Sequence, residues 1–150
     1  MTTIELFVID TNTIIRYFHD VFHEDVELSN RTRRLVQAAL NPFEENIKLS
    51  IPSIVFVEIY EKWLKNEEFS KKFHYEVFLP IKESPNIEIK PIDKEVLFEL
   101  LKISGSLEHH DLHDKIVLAS AMSLQCKLVT SDTKLIQYVE ETRIIPEVIN

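Results

Sequence analysis

The segment ELFVIDTNT at residues 5–13 decides the fold of this chain. Its first five residues are mostly apolar and include β-branched Val8 and Ile9, which predicts a short buried strand. Asp10, Thr11 and Asn12 follow at once, and side chains of these types commonly cap the N-termini of helices. The segment therefore predicts a strand that passes directly into a helix.

The rest of the chain repeats this alternation. Ser53 is predicted to cap the helix after Pro52, and Pro80 to end the helix that begins at Glu67. Strands alternating with helices favour a three-layer α/β/α fold with a mostly parallel central sheet, and 150 residues predict a single domain over 1–150. Further strands are predicted near 48–51, 86–89, 127–130 and 143–145, and helices near 30–41, 53–65, 67–79, 93–102, 112–124 and from 131 or 132 onward.

The composition excludes several classes of function. The chain has one glycine, Gly105, whereas phosphate-cradling and dinucleotide-binding loops need several glycines at fixed spacing. It has one cysteine, Cys126, so no intrachain disulfide can form and a reducing, cytoplasmic location is expected. No apolar run is long enough to cross a bilayer, and no basic region typical of a signal peptide precedes the first strand, so no membrane partner is expected.

The formal net charge of −8 argues against a protein that holds nucleic acid by bulk electrostatic attraction. It does not exclude a nuclease, because an acidic metal site carries several of those charges itself. Bound cations would also reverse the local field.

Two acidic residues follow predicted strands. Asp10 comes directly after Ile9, and Asp132 comes just after the strand that ends near Thr130. Functional sites in open α/β sheets lie outside the carboxyl ends of the strands, so both carboxylates are expected at that edge. The alternative for each is a helix cap or a turn, which is a common role for an isolated aspartate in such a position.

Two more acidic residues lie on predicted helices. Glu58 is the only charge in the run at 54–60, so it is predicted to be buried, where a carboxylate is costly unless it is paired or binds a metal. The alternative is a buried ion pair with a lysine or arginine from another helix. Asp114 opens the helix at 112–124, and its alternative is a first-turn acidic residue three positions after an Asp111 cap.

The combination of the four carboxylates is more informative than any one of them. Hard oxygen ligands of this kind suit Mg²⁺ or Mn²⁺. Phosphodiester cleavage needs an activated water and stabilisation of charge on the leaving oxygen, and one or two such ions supply both. The acidic cluster therefore predicts metal-dependent hydrolysis of phosphodiester bonds.

At these positions the sequence resembles the PIN-domain nucleases. The strand that ends in Asp10-Thr11-Asn12 is similar to the first motif of that family, and PSIVFVEI at 52–59 is similar to the second. HDKIVLASA at 113–121 and LVTSD at 128–132 are similar to the third and fourth. The order and approximate spacing match over nearly the whole chain.

The resemblance implies a ribonuclease that holds one or two Mg²⁺ or Mn²⁺ ions and leaves a 5′-phosphate and a 3′-hydroxyl. Many small prokaryotic members are VapC-type toxins, which implies a homodimer and an antitoxin protein as candidate partner. Asp111 departs from the family pattern, and it is either a supporting residue or the true third ligand. The implied catalytic and metal-binding residues are Asp10, Glu58, Asp114 and Asp132, with Asn12 and Thr130 shaping the pocket by hydrogen bonds.

Other features leave alternatives open. Arg31, Arg33 and Arg34 form the only strong basic cluster, which is either an RNA contact or a solvated helix face. His109 and His113 are spaced for a zinc site that no HExxH or cysteine pair supports; otherwise the histidines here are expected to be solvated near the mouth of the site. Several aromatic residues are expected to pack in the core, with a dimer or antitoxin surface as the alternative: Trp63, Phe69, Phe73 and Phe78.

Three other functions compete with a nuclease. An aspartate-nucleophile phosphatase of the haloacid-dehalogenase type fits Asp10 but needs a second aspartate where this chain has Asn12. A phosphorylated receiver domain needs an acidic pair near the first strand, where Asp10 stands alone. A catalytically inactive PIN-like scaffold is the third, although acidic residues stand at all four motif positions.

Overall fold

The computed structural model describes residues 3–103, 107 and 110–150, and these form a parallel sheet flanked by helices. The strands are β1 (Glu5–Ile9), β2 (Ile47–Pro52), β3 (Ile87–Lys90), β4 (Lys127–Val129) and β5 (Val148–Ile149). The helices are α1 (Thr11–Tyr17), α2 (His19–Phe22), α3 (Asn30–Leu40), α4 (Ser53–Trp63), α5 (Glu67–Phe73), α6 (Leu79–Glu83), α7 (Lys94–Leu100), α8 (Leu112–Leu124) and α9 (Thr133–Thr142), with a π-helical turn at His74–Phe78 between α5 and α6.

The sheet confirms the predicted α/β class. Its order is β3-β2-β1-β4-β5 and every neighbouring pair is parallel. The central strand β1 sets Ile9 beside Val129 of β4. The next residues along the two strands are Asp10 and Thr130, so their side chains leave the sheet next to each other at the carboxyl edge.

Helix α8 is the most deeply packed helix next to that edge. Its residues Ile116 to Met122 are all buried, and Leu118 has no exposed surface. It packs against β1, β2 and β4 and against α4. Because this helix is fixed in the core along most of its length, the acidic residue in its first turn, Asp114, starts from a rigid support.

Two predicted helix boundaries are wrong. Ser53 is the first residue of α4 instead of its cap, and Pro52 takes the cap position without a side-chain hydrogen bond. Pro80 does not end the helical path, which continues to Glu83. The π-helical turn precedes Pro80, which lies in the first turn of α6, where the missing N–H is least costly.

The predicted last strand at 143–145 is also wrong. Arg143 adopts a left-handed conformation with φ 54° and ends α9, its backbone N–H donating to the Val139 carbonyl at 2.7 Å. The chain joins the sheet only at Val148, which pairs with Leu128 of β4. Ile145 is nevertheless buried, so its apolar character reflects contact with the core.

Within the described residues, no helix combines the length and the apolar character needed to span a membrane.

The burial of α8 predicts a large effect of core truncation. Leu118→Ala should lower the free energy of unfolding by about 2–5 kcal/mol, because it removes fully buried methyl groups and leaves a cavity. Leu101→Ala, at a side chain that is 84% exposed, should change it by less than about 0.5 kcal/mol. Urea denaturation of both variants checks the prediction, and equal effects would contradict the described packing.

Candidate metal centre

Asp10 lies at the junction of β1 and α1 and is the N-cap of α1. Its Oδ1 accepts hydrogen bonds from the Thr13 N–H at 2.9 Å and the Thr13 hydroxyl at 2.7 Å. Its Oδ2 accepts one from the Thr130 hydroxyl at 2.6 Å. Burial raises the pKa of Asp10, while these hydrogen bonds and the charge of Arg16 oppose the rise. Asp10 is therefore a helix cap, as the alternative predicts. Its carboxylate accepts three hydrogen bonds and can accept a further bond.

Asp132 is connected to Asp10 through Thr130. The Asp132 N–H donates to Thr130 Oγ1 at 3.1 Å, and the same hydroxyl donates to Asp10. As the N-cap of α9, Asp132 Oδ1 accepts from the N–H groups of Lys134 and Leu135. Its Oδ2 lies 3.1 Å from Nε2 of His110, and both residues line one open cleft.

Glu58 is buried on α4, as the sequence predicts. Its Oε2 lies 3.2 Å from Nδ1 of His113 on α8 and 3.7 Å from Nζ of Lys62, which is four residues later on the same helix. The alternative of an ion pair is therefore present in part among the described residues: the lysine partner comes from the same helix, and the partner from another helix is a histidine. His113 Nδ1 is also 3.5 Å from Oδ1 of Asp111, yet within the described part of the chain this buried nitrogen makes no hydrogen bond.

Asp114 lies where the acidic charges converge. Its pKa is raised to about 6, first by burial and then by the negative charges of Asp111, Glu58 and Asp132. His110 acts in the opposite direction. Asp111 caps α8 by accepting a hydrogen bond from the Asp114 N–H at 3.3 Å, so the capping alternative for Asp111 is correct as geometry.

The described residues form two groups that could each hold a cation. In one group, ligand atoms of Glu58, Asp111 and His113 lie within 4.8 Å of one another, and in the other those of His110, Asp114 and Asp132 do. Carboxylate oxygens suit Mg²⁺ and Mn²⁺, and an imidazole in each group is better matched to Mn²⁺ than to Mg²⁺. Nδ1 of His113, which makes no hydrogen bond to the described residues, and the crowded carboxylates around Asp114 both fit a site for a divalent cation.

The four predicted acidic residues are therefore distributed over three environments. Asp114 and Asp132 share one group, Glu58 belongs to the other, and Asp10 belongs to neither, although it is one hydroxyl away from Asp132. Asp111 belongs to the same group as Glu58, so it is a candidate metal ligand in addition to the four acidic residues.

An open cleft of about 620 Å³ adjoins the second group. Asn12 is one of the residues that line this cleft. The full lining consists of Asn12, Arg16, His110, Asp111, Asp114, Ser131, Asp132, Thr133 and Lys134.

Arg16 was not identified from the sequence, and His110 was expected near the mouth of the site only as a solvated residue. Arg16 reaches the cleft from α1 and donates from Nη1 to the Ser131 hydroxyl at 3.0 Å. In the sequence it is marked only by being the one charged residue of α1. His110 was expected to be solvated, but its side chain is 8% exposed. His109, the other half of the suggested zinc pair with His113, lies outside the described residues.

The basic and aromatic clusters lie elsewhere. Arg31 is 4.0 Å from Glu147, and Arg33 and Arg34 are exposed on α3; none of the three lines the acidic cleft. The aromatic residues pack against Phe22 and Phe56, in agreement with the expected core role: Trp63, Phe69 and Phe73 contact Phe22, and Phe78 contacts Phe56.

Comparison with known proteins connects this site to a family. The sequence matches the family described as PIN domain over residues 7–141. No curated protein matches the sequence.

Solved structures share the fold. The chain is similar to VapBC2 from Rickettsia felis bound to a promoter DNA fragment, with 17% identity, a TM-score of 0.63 and coverage of 95% of this chain and 96% of that one. It is similar to FitAcB from Neisseria gonorrhoeae, with 15% identity, a TM-score of 0.64 and 96% of each chain covered. A toxin-antitoxin complex from Klebsiella pneumoniae has 19% identity, a TM-score of 0.55 and 95% of each chain covered. At these identities the likeness concerns the fold alone.

The raised pKa of Asp114 predicts a pH-dependent stability. The Asp114 carboxyl binds its proton more tightly in the folded chain than in the unfolded chain. Ionisation of Asp114 therefore lowers the free energy of unfolding as pH rises from about 4 to about 6. Without metal, Asp114→Asn should therefore raise the free energy of unfolding at pH 7.5, by on the order of 1 kcal/mol after solvent screening, and change it little at pH 4.

Urea denaturation in EDTA at both pH values measures this difference. Asp25→Asn is the matched control, because it removes an exposed carboxylate outside the cluster. If both variants respond to pH in the same way, the crowding of charge around Asp114 is not the cause.

Proposed function

The chain belongs to the PIN-domain family, and from that premise we propose that it is a metal-dependent ribonuclease whose acidic cleft hydrolyses RNA phosphodiester bonds. PIN domains are generally metal-dependent nucleases, which supports the reaction class. The observation that carries the proposal is the convergence of Asp111, Glu58 and Asp132 on Asp114, whose pKa rises to about 6. Such crowding is unfavourable in the isolated fold and favourable around a divalent cation.

The proposed catalytic and metal-binding residues are Asp10, Glu58, Asp114 and Asp132. A divalent cation, Mg²⁺ or Mn²⁺, would be held by these carboxylates and would supply Lewis-acid stabilisation of charge on the phosphate. Asp111, His110 and His113 are additional ligand candidates from the two groups described above.

The other residues of the site position these acids. The Thr130 hydroxyl fixes Asp10 and accepts from the Asp132 backbone, so a single side chain sets the distance between two carboxylates. Asn12 and Arg16 line the cleft, and the Arg16 guanidinium offers N–H donors to phosphate oxygens. In the overall reaction water adds to phosphorus, the P–O3′ bond breaks, and the products carry a 5′-phosphate and a 3′-hydroxyl.

The phosphatase alternative has weaker support. An aspartate nucleophile of that type needs a second aspartate two residues later as acid or base, and Asn12 is unsuited to that role. An inactive scaffold would not need a carboxylate as costly as buried Glu58.

We also propose that the protein is the toxin of a toxin–antitoxin pair in the cytoplasm and forms a homodimer. The support is its similarity in fold and length to VapBC2, to FitAcB and to the Klebsiella pneumoniae complex, of which the last is described as a toxin-antitoxin complex. An antitoxin protein is then the expected partner alongside the RNA substrate.

The test is incubation of the purified protein with a mixed pool of structured RNA in Mn²⁺, in Mg²⁺ and in EDTA. Cleavage should require metal and fall by at least about 100-fold in Asp10→Asn and in Asp114→Asn, because each removes a charge from the metal-binding carboxylates. Asp25→Asn should cleave like the wild-type protein, since it changes net charge equally without touching the cleft. Full activity in Asp10→Asn would overturn the assignment.

A second measurement separates metal binding from cleavage. Mn²⁺ should raise the melting temperature of the wild-type protein and have a smaller effect on Asp114→Asn, because only the folded chain assembles the ligands. Neither cleavage nor a metal-dependent shift would favour the inactive scaffold. A shift without cleavage would keep the metal site and indicate a narrower substrate.

A further inference from the structure

The contact between α4 and the first turn of α8 is close but is not a hydrogen bond. Nδ1 of His113 lies 3.2 Å from Oε2 of Glu58 and 3.5 Å from Oδ1 of Asp111. This nitrogen is buried, and it makes no hydrogen bond to any described residue. A buried ring nitrogen without a hydrogen bond is costly, and imidazole nitrogens in proteins are commonly satisfied either by a hydrogen bond or by a metal ion.

The distances around His113 fit coordination of one ion. Ligand atoms around a metal ion face the ion and not one another, so the contacts between them lack the near-linear geometry of a hydrogen bond. Two ligand atoms that each lie about 2.1 Å from a tetrahedral zinc ion are about 3.4 Å apart. The separations of 3.2 and 3.5 Å from Nδ1 to the two oxygens lie on either side of that value. All three ligand atoms lie within 4.8 Å of one another.

The donor set and its burial favour zinc. One imidazole nitrogen and two carboxylate oxygens suit Zn²⁺, whereas Mg²⁺ prefers oxygen ligands and keeps several waters. The Glu58 side chain is only 9% exposed, so its charge attracts a cation more strongly than a solvated carboxylate would. Lys62 lies 3.7 Å from the same oxygen, but its side chain is 51% exposed, so this ion pair is weak.

The second group of ligand candidates differs from this one in a decisive contact. Nε2 of His110 lies within hydrogen-bonding distance of Asp132, so that nitrogen already has a partner in the protein. His110 and Asp132 also line the open acidic cleft, whereas Glu58 and His113 are not among the described residues that line it. The two groups are therefore neighbours with different surroundings.

We propose that Glu58, Asp111 and His113 form a separate zinc site that joins α4 to the first turn of α8 beside the acidic cleft. In tetrahedral geometry the three ligands leave one position for water. The role of the ion is structural, since it fixes two helices that both carry acidic residues of the cleft region. The inference goes beyond the proposed ribonuclease function and holds whether or not the cleft hydrolyses RNA.

The experiment measures zinc binding to the metal-free protein by equilibrium dialysis in excess Mg²⁺, which occupies sites made of oxygen ligands. The wild-type chain should bind one zinc ion that Mg²⁺ does not displace, and Zn²⁺ should raise its melting temperature. His113→Gln and Asp111→Asn should each weaken binding by at least about 10-fold, because loss of a supporting residue alone typically has that effect. Lys62→Gln should strengthen binding, since it removes a competing positive charge.

Two histidine variants serve as controls. His110→Gln should keep zinc affinity close to wild type, because His110 belongs to the other group. His19→Gln is the matched control: Nδ1 of His19 also lies 3.2 Å from a carboxylate oxygen, that of Asp20, but the His19 side chain is 55% exposed. Co²⁺ bound in place of zinc should give a visible absorption band typical of tetrahedral coordination in both controls, and His113→Gln should lose it.

The outcomes separate this site from the proposed nuclease. Equal losses in His110→Gln and His113→Gln, unchanged binding in His113→Gln, or displacement of zinc by Mg²⁺ would each overturn the proposal. A loss confined to His19→Gln would also overturn it and show adventitious binding at exposed histidines. Zinc binding with the expected pattern but no cleavage of the RNA pool would support this site and reject the nuclease. Melting temperatures in EDTA close to wild type confirm that the variants are folded.

Discussion

The hydroxyl of Thr130 makes the contact on which the rest of the site depends. It donates to Asp10 at 2.6 Å and accepts from the backbone of Asp132 at 3.1 Å, so it joins the ends of β1 and β4 outside the sheet. The contact is a consequence of register, because Ile9 pairs with Val129 and the following residues must then be neighbours. Thr130 is buried, and a buried carboxylate such as Asp10 needs donors of this kind.

The electrostatics of the site follow from packing. Helix α8 is fixed by its buried residues, Glu58 is buried on α4, and Asp132 is the N-cap of α9, so packing of the helices sets the positions of the carboxylates. The fold therefore concentrates negative charge around Asp114, and this raises the pKa of its carboxyl to about 6. Arg16 also lines the acidic cleft, so this part of the surface carries a positive charge although the net charge of the chain is −8.

The sequence was sufficient for those features that local patterns determine. The strand before Asp10, the buried position of Glu58 and the bounds of α8 were all predicted, because an apolar run or a helical period marks each of them. The pairing of His110 with Asp132 and the reach of Arg16 to Ser131 were not, since each joins segments far apart in the chain. Arg16 is the one charge in the sequence of α1, and only the packing of α1 against neighbouring segments brings it into the acidic cleft.

The π-helical turn at His74–Phe78 has a consequence for how the length of this chain can vary. A turn closed by i→i+5 hydrogen bonds contains one more residue than an α-helical turn, so it absorbs an insertion without rotating the helix beyond it. In a regular α-helix, a one-residue change would turn the following residues by about 100°, and Ile81, which is 1% exposed, would leave the core. The wider turn thus allows Phe73 and Ile81 to face the same core although the segment between them is one residue longer than a regular α-helix would need, and deletion of one residue from this turn should be compatible with the same packing.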